Sequence, residues 1–145
     1  YYQKEITAMH IEVRTSLPDN PLFIDGNAEQ LGKTIMSLLN NGMYAIAKKY
    51  GKKAYPAEIG LALESKDGQA VIRLYDNGVG IEQSILDKIF DPFFTTKTTG
   101  EAAGIGLYLS KEIILNHHGQ IAVRSEKDEL TEFTITLPLW EEKSV

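Results

Sequence analysis

The chain has no cysteine, no apolar run of membrane-spanning length and no excess of basic residues. The first absence excludes disulfides and thiolate metal sites and suits a reducing compartment. The second, with no signal-peptide pattern ahead of the first expected element, gives the expectation of a soluble domain. The third argues against general nucleic-acid binding, which needs a basic face, since the net charge is −5 and the pI near 5.2. Lys48, Lys49, Lys52 and Lys53 make a local basic cluster. It reads as a solvated helix end, and only Lys48 is placed to reach a phosphate. There is no internal repeat and no low-complexity segment. At 145 residues one compact domain buries about 70% of its unfolded surface, enough for a single core.

What the chain does contain is three glycine- and asparagine-rich pieces. The first is YDNGVGI, Tyr75 to Ile81. It follows Gln69 to Tyr75, where Val71, Arg73 and Tyr75 alternate with Ile72 and Leu74 as in a half-buried strand. Asp76 therefore stands at a strand end. Gly78 and Gly80 permit positive φ and leave room for a planar ligand at the backbone. A carboxylate beside such an opening accepts a hydrogen from an exocyclic amine. Alone, the run reads first as turn chemistry.

The second piece is GIGL, Gly104 to Leu107, opening a helix to His118 with Gly119 as its stop. A helix that begins on glycines offers bare N–H groups to a phosphate. Between the two pieces, Ile89 to Ala103 has aromatics, threonines and a lysine but no period, and reads as a lid. The third piece lies on a helix from Asn27 to about Tyr50. Asn27 and Gln30 form its cap, and Leu31, Ile35, Leu38, Leu39, Gly42, Ala45 and Ile46 form its apolar face. Asn41 lies beside that face, in a polar stripe with Ser37, Tyr44 and Lys48. A hard Mg²⁺ ion would accept its amide oxygen.

Together the pieces resemble the catalytic and ATP-binding domain of sensor histidine kinases, within the superfamily that includes DNA gyrase and MutL. SLLNNGMYAI resembles the family's asparagine box, DNGVGI its first glycine box, IFDPFFTTK its phenylalanine box and GIGLYLSKEII its second glycine box. The resemblance runs from about His10 to Pro138, and the phenylalanine box points to kinases. It implies that Asn41 ligates Mg²⁺ and, with Lys48, serves catalysis. It implies that Asp76 binds the adenine amine, with Gly78, Gly80 and Ile81 shaping the adenine wall and Tyr44 and Ala45 beside it. Gly104, Ile105, Gly106 and Leu107 would hold phosphates. Phe90, Phe93 and Phe94 would anchor the lid, for which Phe90 reads equally as a core aromatic. Thr95, Thr96 and Lys97 would join the nucleotide from the lid, and Thr131 would lie near the adenine.

Three positions depart from the family pattern. Ser37 stands where a second asparagine is usual, Ala102 and Ala103 replace a Gly-Thr, and Leu130 replaces a glycine. Alanine resists positive φ and brings no hydroxyl to a phosphate.

The expected fold is an α+β two-layer α/β sandwich, the Bergerat ATP-binding fold, with a mixed sheet and helices on one face. Its strands are expected near Met9 to Arg14, Glu58 to Glu64, Gln69 to Tyr75, Gln120 to Ser125 and Thr131 to Leu137. An extended piece is expected at Leu22 to Asp25, a hairpin turn at Asp67-Gly68 and a short helix near Ser84 to Phe90. Residues 1–8 read as a linker or the remnant of an upstream dimerisation helix, residues 9–140 as the ATP-binding domain and 141–145 as a frayed tail. A start at Tyr1 fits a piece of a larger protein.

The resemblance implies transfer of the γ-phosphoryl group of Mg-ATP to a histidine on an upstream dimerisation and histidine phosphotransfer domain. From there it passes to a response-regulator receiver domain. The domain itself is expected to be monomeric and cytoplasmic, and its parent a homodimer open to anchoring in the inner membrane. None of His10, His117 or His118 has the acceptor's setting. The alternative is a nucleotide-sensing module with weak or no turnover; a gyrase-like or MutL-like ATPase is a third reading.

Overall fold

A computed structural model describes residues 11–50, 56–92, 94 and 107–140. Five strands form one mixed sheet: β1 (Glu12–Ser16), β2 (Glu58–Lys66), β3 (Gln69–Asp76), β4 (Gln120–Glu126) and β5 (Leu130–Pro138). Their order is β1-β2-β3-β5-β4, with β1 parallel to β2 and every other pair antiparallel. Among the described residues three helices accompany it: α1 (Ala28–Tyr50), α2 (Gln83–Leu86) and α3 (Tyr108–Asn116). The α+β mixed sheet is as expected. Leu22 to Asp25, expected as an extended piece, lies outside the sheet and is tied to the segment after β5 by Trp140 N–H donating to the Phe23 carbonyl at 2.7 Å. Among the described residues no helix is long and apolar enough to cross a membrane.

Alternation sorts the sheet into two faces. Leu74 and Asp76 on β3, and Thr131, Phe133, Ile135 and Leu137 on β5, are buried on the inner face. Leu38 of α1 and Ile114 of α3 pack there, with Ile81, Ile89 and Leu107. The outer face carries Tyr75, Arg73 and their charged neighbours, with Arg73 donating to Glu64 at 2.7 Å. The Tyr75 ring lies across Gly60, its cross-strand partner, where a Cβ would fall 1.8 Å from the ring. Its hydroxyl donates to Glu58 at 2.7 Å. The β2–β3 turn is a tight hairpin with Asp67 and Gly68 both at positive φ (52° and 77°), as the sequence leads one to expect.

Helix α1 starts on its cap: Gln30 N–H donates to Asn27 Oδ1 at 3.0 Å. Its buried stripe is Thr34, Leu38, Gly42, Met43 and Ile46. Thr34 enters that stripe because its hydroxyl donates to the Gln30 carbonyl, at 3.2 Å. Met43 and Ile46 build a second cluster with Ile11, Ala57 and Ile59.

The end of α3 differs from expectation. Its left-handed residue is His118 (φ 61°), with His118 N–H on the Leu115 carbonyl and Gly119 N–H on the Ile114 carbonyl. Gly119 is needed instead for close approach, since a Cβ there would lie 2.3 Å from the Thr136 carbonyl oxygen. His117 ties α3 to α1. Its Nδ1 contacts the Ile113 carbonyl at 2.7 Å and its Nε2 accepts Asn27 N–H at 2.9 Å. A carbonyl cannot donate, so the ring is the Nδ1–H tautomer with both nitrogens engaged.

Candidate nucleotide site

The site lies where the C-terminal end of β3 meets the last three turns of α1. A cavity of about 380 Å³ opens there. From α1 it receives Asn41, Tyr44, Ala45 and Lys48, which share one side because they recur at helical spacing. The sheet contributes Asp76, Thr131 and Phe133, and the segment after β3 contributes Gly80 and Ile81.

Asp76 is 6% exposed. Its Oδ1 accepts Gly78 N–H at 2.9 Å, which fixes the carboxylate plane. Burial pushes its pKa up to about 7, against the pull of the Gly78 N–H and the Lys49 cation. A buried carboxylate with one backbone donor gains from a further hydrogen-bond donor brought by a ligand.

The two glycines of the DNGVGI run act differently. Gly80 takes positive φ (72°), and a Cβ there would meet the Glu126 carbonyl oxygen at 2.4 Å. Gly78 is not at positive φ and does not line the cavity. It is small because it lies on α1, where a Cβ would fall 2.5 Å from the Ala45 carbonyl carbon. Gly42 faces the Asp76 side chain from the helix side, where a Cβ would make ordinary contact, 3.4 Å from Asp76 Oδ2. Asn77 stitches the same turn together. Its Oδ1 accepts Glu58 N–H at 2.8 Å, its Nδ2 donates to the Pro56 carbonyl at 2.8 Å, and its own carbonyl accepts from Lys49 and Tyr50.

At the other end, Asn41 is half-buried, and its Nδ2 is buried with no hydrogen-bond partner among the described residues. An orphaned amide costs about 1–3 kcal/mol until an acceptor arrives. The group fits a metal–phosphate ligand: the amide nitrogen suits a phosphate oxygen and the amide oxygen a hard cation. Lys48 is exposed at the rim, while Lys49 is committed to the carbonyls of Asn77 and Asp128.

Other expected residues are not in the cavity wall. Leu107 is 2% exposed in the core, and its N–H donates to the Ile89 carbonyl at 3.0 Å, so that amide is already engaged. The same bond closes the base of the segment expected to be the lid. Phe90 and Phe94 pack half-buried against the main core, Phe90 edge-on to Phe133 at 6.5 Å with the Lys111 ammonium 5.5 Å from its centroid. Ser37 is exposed. Phe93, Thr95, Thr96, Lys97, Ala102, Ala103, Gly104, Ile105 and Gly106 lie outside the described residues.

Sequence reading passed over the β4–β5 turn. Lys127 and Asp128 line the cavity, Asp128 N–H donates to the Val79 carbonyl at 2.6 Å, and Lys127 pairs with Glu82 at 2.9 Å across the mouth. A run of charged turn residues looks like solvent-facing surface, and only the close approach at Gly80 hints at a neighbour. Ser125 was passed over too. It is 3% exposed behind Thr131 and accepts Ile81 N–H at 2.8 Å.

Comparison with known proteins gives a consistent picture. The model of the family described as "Histidine kinase-, DNA gyrase B-, and HSP90-like ATPase" matches residues 26–141. The chain is 39% identical over 122 residues to the signal transduction histidine-protein kinase AtoS of Escherichia coli, covering 83% of this chain and 19% of AtoS. It is 34% identical over 123 residues to sporulation kinase D of Bacillus subtilis (85% and 22%), and 33% over 129 residues to the two-component sensor PprA of Pseudomonas aeruginosa (89% and 14%). It thus spans less than a quarter of these relatives' length. Among solved structures, the catalytic domain of histidine kinase ThkA superposes with a TM-score of 0.77 at 23% identity, covering 94% of this chain and 84% of that one. ThkA in complex with the response regulator protein TrrA gives 0.72 at 22% identity, covering 94% and 36%. The fold is therefore that of histidine kinase catalytic domains.

Proposed function

Since the chain belongs to the family of histidine kinase-, DNA gyrase B- and HSP90-like ATPases, we propose that it is the Mg-ATP-binding catalytic domain of a sensor histidine kinase. The observation that carries this reading is a buried Asp76 carboxylate opening on the same cavity as the orphaned amide of Asn41. Asp76 accepts from the adenine amine, Gly80 and Ile81 form the wall of the base pocket, and Tyr44 and Ala45 border it. Asn41 holds Mg²⁺ by its amide oxygen, and Lys48 meets phosphate at the rim. When bound, the ion neutralises the charge of the triphosphate. Thr95, Thr96, Lys97 and Gly104 to Gly106 complete the phosphate end.

In the reaction a P–O bond to the γ-phosphorus breaks, ADP leaves, and the unprotonated imidazole nitrogen of the acceptor histidine forms the new P–N bond with its lone pair while the other ring nitrogen sheds its proton. The protein's share is positioning and electrostatics. The acceptor must offer a free imidazole lone pair. His117 offers none, since both of its nitrogens are engaged. We place the domain in the cytoplasm and the acceptor on a dimerisation domain of the same homodimeric parent, with a response-regulator receiver domain as the next recipient. ThkA's complex with TrrA supports that class of partner.

Radiolabelled ATP incubated with this chain and the parent's dimerisation domain tests the reading. Acid-labile label on histidine supports it. Intact Mg-ATP binding without label gives the second reading, a nucleotide-sensing module, which Ser37, Ala102 and Ala103 favour. No nucleotide binding overturns both.

A further inference from the structure

We propose that Ser125, which lies behind the cavity wall, determines base selectivity by fixing the direction of the Thr131 hydroxyl, leaving that hydroxyl only lone pairs to offer a ligand. This rests on the ATP reading above and adds to it a positioning residue of the base end.

The proposal follows from counting hydrogens. Ser125 Oγ has three partners, all at 2.8 Å: Ile81 N, the Leu130 carbonyl oxygen and Thr131 Oγ1. A backbone N–H can only donate and a carbonyl can only accept. Ser125 therefore gives its single hydrogen to Leu130 and receives one from Ile81. Its contact with Thr131 is a hydrogen bond only if Thr131 is the donor. The hydroxyl hydrogen of Thr131 is thereby turned toward Ser125. Both side chains are nearly inaccessible, 3% and 4% exposed, so water does not compete for the arrangement.

Thr131 is the cross-strand partner of Asp76 and lines the same cavity. With that hydrogen committed and Asp76 ionised, above pH about 7, this pair presents acceptors alone. A 6-amino purine brings hydrogens to such a wall, whereas a 6-oxo purine brings a carbonyl oxygen that finds no donor. Unpaired acceptors facing each other in a dry pocket are strongly disfavoured. If Ser125 were absent, the Thr131 hydroxyl could rotate and donate to the 6-oxo group, and selectivity would fall.

The test measures calorimetric affinities of ATP and inosine triphosphate for wild type, Ser125→Ala, Thr131→Val, Thr131→Ser and the Ser125→Ala/Thr131→Val double variant. Ser125→Ala is expected to narrow the ATP-over-ITP preference by about tenfold, the scale of one hydrogen-bond mismatch. Thr131→Ser keeps the wild-type preference. In the Thr131→Val background, removing Ser125 changes the preference no further, because Ser125 acts through Thr131. Equal weakening of both nucleotides by Ser125→Ala, or a change of preference that persists in the Thr131→Val background, overturns the proposal. If Ser125→Ala does not fold, the Thr131 pair decides: an unchanged preference in Thr131→Val overturns it. Should wild type bind neither nucleotide, the ATP reading falls by itself. The hydroxyl order is then judged in the ligand-free chain by NMR: a slowly exchanging Thr131 hydroxyl proton in contact with Ser125 upholds it, and its absence overturns it.

Discussion

The two ends of the cavity are built on different principles. At the base end, Asp76 and Thr131 sit opposite each other on paired strands, their orientation set by Gly78 N–H on one side and Ser125 on the other. Close backbone approaches at Gly78 and Gly80 leave this end little freedom to rearrange. At the phosphate end, Asn41 has a polar atom without a partner among the described residues, and Lys48 stands exposed at the rim. One end is assembled before the ligand arrives; the other has groups waiting for it. Selectivity needs fixed acceptors in a dry place, while a metal–phosphate group brings ligands of its own.

The largest test of this contrast is Asp76→Asn. It should cost roughly 100-fold in ATP affinity by calorimetry, since an amide nitrogen then faces the adenine amine. The same variant should melt higher than wild type above pH 7, because a buried charge has been removed. An unchanged affinity would dissolve the distinction between the ends. Next, Gly80→Ala should destabilise the fold by about 2 kcal/mol or more in urea titration, with φ 72° and the Glu126 carbonyl both opposing a methyl group.

Asn41→Ala should weaken Mg-dependent ATP binding about tenfold, leave adenosine binding within about twofold, and not unfold the domain. Equal losses for both ligands would mean that the ends are not separable.

Acidity should mark the base end. As pH falls below about 7, Asp76 gains a proton and loses its role as an anionic acceptor. ATP affinity should then drop by up to about tenfold per pH unit. The ligand-free fold responds with the opposite sign. The folded pKa lies above the usual 3.8, so Asp76's contribution to stability is fully present below 3.8 and is lost as pH rises through about 7. Smallest of all, Lys127→Ala should alter ATP affinity by about twofold or less, because the Glu82–Lys127 pair is more than half exposed on both sides.

How far this was legible in the sequence follows the same division. Asp76 was readable because strand alternation placed it at a strand end, and Asn41 because it stood one position off the apolar stripe. The Asn27 cap and the Asp67-Gly68 hairpin were readable from local chemistry alone. Gly78 and Gly119 were read as residues of conformational freedom, yet each is small because a distant backbone passes close by. That neighbour is 33 residues away for Gly78 and 17 for Gly119, a separation that no local pattern encodes. Ser125, Lys127 and Asp128 were missed for the same reason: their meaning depends on what the β4–β5 hairpin folds against. Leu107 was assigned by motif to phosphate, while its amide hydrogen closes the loop from Ile89.

The bond from Asn27 N–H to His117 Nε2 joins residues 90 positions apart. Strands β2 and β3 and the cavity residues from Asn41 to Ile85 lie in the chain between them, so the first turn of α1 is not completed until α3 has docked. Such a bond makes a helix cap depend on long-range folding, raising the entropic cost of forming it but removing the option of fraying alone. The Asn27 amide is thus a sentinel of cooperativity. Its hydrogen should exchange at the pace of the core amides of β5, and exchange at the pace of an ordinary helix terminus would show that the two helices open independently.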